Sequence, residues 1–333
     1  SINLDTKGYA LNRTAGVAGA PSATNAASQS SGGGHCGTGG LESSGVAGVA
    51  YDSITAPLYP GGGSGPNGTG GTGGGYLKLT TVGLTNNGTI SANGQDSGSG
   101  GAGGAGGIWI ITSGDLSGTG TIRANGGIES ESGNQAAGGG GCVAFYYNST
   151  VGSNISAINS LVFQARGGAN SVTGASVSTA KHGGAGTVYI QGSATPTMVD
   201  TTVGTLTIDN NGTLALAVTP LSTPLTFATF TSKNGAVVTA TALTVSGNVT
   251  VDANTTLIVD TLVVSGNVSI TNTSVLKHNA TTDTVLKTLS LTVTGNTIID
   301  ATSSINLDGK GYPGGYTADT GNAGAPITTG TGN

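Results

Sequence analysis

The sequence predicts an all-β fold, a parallel β-solenoid of the right-handed β-helix kind with long glycine-rich loop excursions. Three observations lead there. Glycine takes 63 of 333 positions, and charge is confined to 10 Lys plus Arg and 15 Asp plus Glu; an average protein has about 7% Gly and about 25% charged residues. Glycine costs roughly 1 kcal/mol per helical position, while the abundant β-branched Val, Ile and Thr favour strands. Short apolar strings also recur between turn residues along the whole chain.

Composition excludes several classes. Gly and Ser enrichment is typical of disordered chains, but 35% of the residues are hydrophobic and grouped in short runs, which is material for many strands. A formal net charge of −5 offers no basic patch for nucleic acid. No apolar run approaches the roughly 20 residues of a spanning helix, so no membrane span is expected. The chain shows no initiator Met, signal peptide or anchor and reads as a processed protein or a piece of a larger one. Cys36 and Cys142, both in glycine-rich stretches, permit at most one internal disulfide; their pairing stays open. Eleven Asn-X-Ser/Thr sequons arise readily by chance in a chain so rich in Asn, Thr and Ser.

Residues 1–195 form a glycine-rich β-helical region. Strand cores Tyr76–Leu79, Ile108–Ile111, Val143–Tyr146 and Thr187–Ile190 start 32, 35 and 44 residues apart, each after a glycine cluster. The first two are followed by second strands in Asn87–Gly94 and Gly118–Gly126, and Leu161–Gly168 is a looser third. The glycine clusters read as flat excursions or as packing layers in which missing side chains allow close backbone approach.

Residues 196–303 form a Thr/Val-rich solenoid region. Val245–Asp252, Val264–Thr271 and Val293–Asp300 align at offsets of 19 and 29, with Gly-Asn at a fixed corner. Gly and Asn tolerate positive φ there, while alternate side chains face a narrow core. Stacking predicts an amide ladder of Asn248, Asn267 and Asn296. The excursion Lys277–Asp283 reads as a loop.

Residues 304–333 start a further tandem repeat. Ser1–Tyr9 returns as Ser304–Tyr312 with one difference, at an offset of 303, and Ala18–Pro21 returns as Ala323–Pro326. Strands holding Ile2 and Leu4 in one copy and Ile305 and Leu307 in the next are the expected junction between units.

The run Tyr51–Pro60, followed by Gly75–Leu79, Leu84–Gly94, Gly106–Ile111, Leu116–Gly126, Gly183–Ile190 and Leu206–Thr213, resembles glycine-rich β-helical repeat segments of very large bacterial extracellular and surface proteins. Similar segments occur in phage fibres. The resemblance covers roughly residues 1–215 and implies a surface or extracellular location, parallel β architecture and a structural or adhesive role. It supplies no catalytic residue.

Chemistry-bearing residues are scattered. β-Helices include polysaccharide-active enzymes, which need converging carboxylates. Glu129 and Glu131 are the closest pair but sit in a Gly/Ser stretch and read as solvated loop charges; Asp252, Asp260 and Asp300 flank strands as corner residues. No catalytic or cofactor-binding residue is expected. Calcium bridging adjacent rungs through Asp5, Asp308, Asp209 or Asp252 is the one bound ion considered. His35 beside Cys36 lacks the further ligands a metal needs, and His182 and His278 read as loop residues. Trp109 reads as core or interface packing. Tyr76, Tyr146, Tyr147 and Tyr189 lie in equivalent strands and read first as packing, second as a stripe for sugars. The expected function is a non-enzymatic structural unit of an extracellular filament, partnered by copies of itself. A glycan-binding adhesin or fibre segment is the alternative, and a polysaccharide-active enzyme the third.

Overall fold

The computed structural model describes residues 1–10, 30–42, 46–65, 69–130, 135–170, 178–196, 203–222, 225–282 and 285–311. Its fold class is all-β with parallel strands. A nine-stranded sheet runs in the order Tyr76–Thr81, Gly107–Thr112, Cys142–Asn148, Thr187–Ser193, Thr205–Asp209, Thr229–Lys233, Val249–Asp252, Val268–Ile270 and Thr297–Ile299. Its neighbours are parallel except Thr187–Ser193 with Thr205–Asp209, which run antiparallel. A seven-stranded parallel sheet orders Thr219–Leu221, Val237–Val245, Thr256–Val264, Val275–Lys277 and Ser304–Ile305, with Leu225–Phe227 and Ser290–Val293 as side partners. A four-stranded parallel sheet orders Ile2–Asn3, Thr89–Ser91, Thr121–Arg123 and Val162–Gln164.

Register fixes which face each side chain takes. Ile108 pairs with Val143 as the sequence alignment had it, but Tyr76 pairs with Gly107 and Thr187 with Cys142, one residue away from the alignment of core starts. The shift has a physical reason. It puts Leu77, Ile108, Val143 and Val188 in one row and sends them into one apolar cluster, while Trp109, Tyr146 and Tyr189 join a second cluster on the opposite face. In the Thr-rich part the 19- and 29-residue offsets are those of the ladder, since Val249 pairs with Val268 and Val268 with Thr297.

The glycine stretches are packed segments, not loop excursions. In 136–141 successive N–H groups turn to three neighbours in rotation. Ala136 and Gly139 donate to Ser30 and Gly33, Ala137 and Gly140 to Lys181 and Gly184, and Gly138 and Gly141 to Gly127 and Ala124. Residues 102–106 do the same: Ala102 and Ala105 donate to Ala136 and Gly139, Gly103 and Gly106 to Gln95 and Ala92, and Gly104 to Gly62. A partner that recurs every third residue in extended chain is the mark of a threefold helix of the polyproline II type. Such a helix has no internal hydrogen bonds, so its backbone groups must be satisfied laterally. Close approach demands glycine here. A Cβ on Gly103, Gly138 or Gly183 would lie 1.9 Å from the carbonyl oxygen of Thr72, Gly103 or Gly138 respectively.

Among the described residues one α-helix, Gly152–Ser160, interrupts the β pattern. Glycine and β-branched content argued against helices, and tertiary contacts override it. Asn154, fully buried, accepts from the Leu116 N–H through Oδ1 and donates through Nδ2 to the carbonyls of Gly114 and Asn148. Its sequon is therefore used inside the fold.

Candidate assembly site

Residues 1–7 and 304–310 fold alike. The Asn3 side-chain Oδ1 accepts the Asp5 N–H at 2.8 Å, and Asn306 accepts the Asp308 N–H at 2.9 Å. Lys7 N–H donates to the Leu4 carbonyl, as Lys310 N–H does to Leu307. The single difference between the copies, Thr6 against Gly309, falls at a left-handed residue, with φ of 58° and 63°. Glycine has no Cβ penalty there, so the turn is kept while the residue changes.

The two copies sit on different bodies of protein. Ile2–Asn3 lies parallel to Ile90–Ser91, with Leu4 packed on the Ile90–Ile122 cluster and Ile2 exposed. Ser304–Ile305 lies parallel to Val275–Leu276, with Ile305 packed on the other cluster and Leu307 exposed. Residues 312–333, including the Ala323–Pro326 match, and the Ala18–Pro21 segment lie outside the described residues.

Asn248, Asn267 and Asn296 stack at one corner. The links run from side chain to backbone: Asn267 N–H donates to Asn248 Oδ1 at 2.9 Å, and Asn296 N–H to Asn267 Oδ1 at 2.8 Å. At the opposite corner Asn234 and Gly235, then Ala253 and Asn254, then Asn272 and Thr273 adopt positive φ as consecutive pairs.

Cys36 and Cys142 form a disulfide, with Cα atoms 5.4 Å apart. Beside it His35 Nε2 lies 3.0 Å from Asp52 Oδ2, both side chains essentially buried. The Tyr51 ring packs against that of His35 at a tilt of 56°, centroids 4.8 Å apart, and its hydroxyl donates to the Pro60 carbonyl. Burial pushes the Asp52 carboxyl up, but hydrogen bonding and charge from His35 and the N–H groups of Leu58 and Ser53 outweigh it and hold the group below its ordinary value. Asp52, left unassigned by the sequence reading, thus organises the 51–60 segment. Its only sequence signal is the surrounding cluster of turn residues, Ser53 and Pro57. Among the described residues, His35, Asp52 and Cys142 are the one group of three metal-type donors that converges, and the Cys142 sulfur is already in the disulfide.

Of the acids considered for calcium or catalysis, Asp5, Asp209, Asp252 and Asp260 accept from protein donors. Asp5 accepts the Asn93 N–H, Asp209 accepts from Asn211 N–H and Asn234 Nδ2, and Asp252 accepts from Thr271 and Asn272. The Thr271 hydroxyl is the main cause holding Asp252 below its ordinary pKa. Asp260 is pushed up by burial but held low in balance by Lys287 and Asn279. Glu129 corrects an expectation. It is fully buried, bridges Ser97 and Asn170 in a parallel ladder and accepts from Asn170 Nδ2 at 3.2 Å. A carboxylate with such a donor need not be solvated; Glu131 lies outside the described residues. Of the histidines read as loop residues, His278 lies outside any strand but is buried, its Nδ1 against the Asn279 carbonyl oxygen.

No family model, no curated protein and no solved structure matches the chain. Trp109, Tyr146 and Tyr189 are buried, with Lys78 Nζ 4.0 Å above the Trp109 ring, so these three present no exposed platform for sugars. No helix of the described residues is long and apolar enough to cross a membrane. Among the described residues, the end strands Tyr76–Thr81 and Thr297–Ile299 of the nine-stranded sheet each pair with one neighbouring strand.

Proposed function

We propose that the chain is a non-enzymatic structural repeat unit of an extracellular filament or surface fibre, folded as a right-handed parallel β-solenoid and assembling end to end with copies of itself. One observation carries the reading. Phe230, Val249 and Val268 in one sheet, and Val238, Leu257 and Leu276 in another, each advance by 19 residues per strand. Two sheets advancing in step are built by the same passages of chain, which is how a coil of repeats grows. The 303-residue recurrence extends the same logic from rungs to units. A disulfide between Cys36 and Cys142 fits an oxidising, extracellular compartment.

Cryo-electron microscopy of the native material tests this. The expected result is a filament with internal spacing of about 4.8 Å between strands and an axial repeat of one unit. Discrete particles with no axial repeat overturn it.

A further inference from the structure

We infer that residues 304–307 form a strand shared by two copies of the unit, closing the sheet of one copy through one edge and opening the sheet of the next through the other. This rests on the filament reading above. The two copies differ in which of their amides are bonded. Successive N–H groups of a strand point to opposite edges. In the first copy, Leu4 and Thr6 donate to Ser91 and Asn93. In the second copy, Ser304 and Asn306 donate to Ser274 and Leu276. Ser304 and Asn306 correspond to Ser1 and Asn3, so the two copies use opposite edges of one and the same strand. Placed on a single strand, the two sets of hydrogen bonds do not compete.

Side chains complement each other in the same way. Val238, Leu257, Leu276 and Ile305 pair in one row, and Ile2, Ile90, Ile122 and Phe163 in another. Letting Ile305 take the place of Ile2 joins the two rows into one apolar column. Leu307, 48% exposed, then takes the packed place of Leu4, and the 39% exposure of Ile2 is covered by the row ending in Leu276. The occupant of the open edge at residues 304–307 is therefore a second copy of this unit, presenting the edge that the strand Thr89–Ser91 offers to Ile2–Asn3. The two parallel sheets become one across the junction.

The test compares this chain with a chain of two units in tandem, residues 1–312 followed by 10–333, so that Ser304–Tyr312 replaces Ser1–Tyr9 at the join, by site-resolved amide hydrogen exchange and small-angle scattering. In the single chain the Asn306 amide is protected and the Leu307 amide exchanges freely. At the join of the tandem chain both are protected, with Leu307 slowed by about tenfold or more. Leu4→Pro lowers the melting temperature of the single chain, because the Leu4 N–H is bonded to Ser91, while Leu307→Pro leaves it unchanged. A rod of doubled length whose Leu307 amide at the join stays unprotected overturns the shared strand and leaves the filament reading standing. Two units that tumble independently overturn both.

Discussion

Replacing Gly138 by Ala puts a methyl group where the structure has a carbonyl. The new Cβ would lie 1.9 Å from the Gly103 oxygen and 2.5 Å from its carbon, against an ordinary contact of at least 3.4 Å. The neighbouring segment must therefore retreat by about 1.5 Å, the difference of those distances. Ala102 N–H to Ala136 and Ala105 N–H to Gly139, both now 2.9 Å, tie these two segments, and each would stretch beyond hydrogen-bonding range. Two buried backbone bonds left unsatisfied cost about 2–6 kcal/mol. The loss of unfolded-state freedom on changing Gly to Ala offsets about 0.4–1 kcal/mol, leaving a net loss of about 3 kcal/mol. At roughly 2.1 cal/mol/K per residue, this corresponds to a melting temperature lower by about 4 °C. Trp109, the only tryptophan and 3% exposed, reports unfolding by its fluorescence. Gly152→Ala is the control, since an added Cβ there meets nothing within 4 Å, and it is expected to be neutral or slightly stabilising. Equal stability of the Gly138→Ala and Gly152→Ala proteins would refute the argument that the glycines are required by close packing.

Removing the disulfide with Cys36→Ser and Cys142→Ser should destabilise the fold by about 4–5 kcal/mol, the chain-entropy figure for a loop near 100 residues; the two cysteines are 106 apart, and denaturation with and without reductant reads the difference. Asp52, Asp252 and Asp260 have folded pKa values below the ordinary one. Their contribution to stability is thus present above the unfolded value of about 3.9 and lost as pH falls through the folded values. The denaturation midpoint should drop below about pH 4; a midpoint that holds to about pH 2 would contradict this. Asn267→Ala removes the acceptor of the Asn296 N–H and should cost about 1 kcal/mol, with faster amide exchange localised at Asn296.

Strand positions were legible where repeats were short and regular. The 19- and 29-residue alignments of Val249, Val268 and Thr297 follow from Gly-Asn corners that pin the register. Around Tyr76 and Thr187 the glycine clusters vary in length, so nothing local fixed the register, and an alignment by bulky residues missed it by one. The glycine layer was legible only as a choice between excursion and packing, because its order comes from lateral bonds between segments far apart in sequence. Likewise the buried positions of Glu129 and Asp52 depend on donors from distant chain, Asn170 for the one and His35 for the other. No spacing rule announces such pairs. The helix at Gly152–Ser160 was invisible for the same reason, being docked through Asn154 onto Gly114 and Leu116.

The compositional change near Pro196 coincides with the one antiparallel step of the long sheet, between Val188 and Thr207. A unit that carries load along a filament must not part there. Several contacts cross the step. Tyr189 lies between Tyr146 and Phe227, with ring centroids 5.8 and 6.2 Å away, and its hydroxyl accepts the Gly204 N–H. Thr38, in the glycine layer, donates its N–H to Val218 and accepts the Val218 N–H on its hydroxyl. Thr219 donates its hydroxyl to the Ala185 carbonyl. One apolar cluster runs from Trp109 through these aromatics to Leu276, so the change in composition is not a break in the core. Separation at the step would expose that cluster and unpair buried backbone groups together, whereas at the proposed junction each edge of the 304–307 strand is held by one short row of bonds. Under tension the ends should therefore yield before the middle, which places the mechanical character of the proposed filament at its junctions.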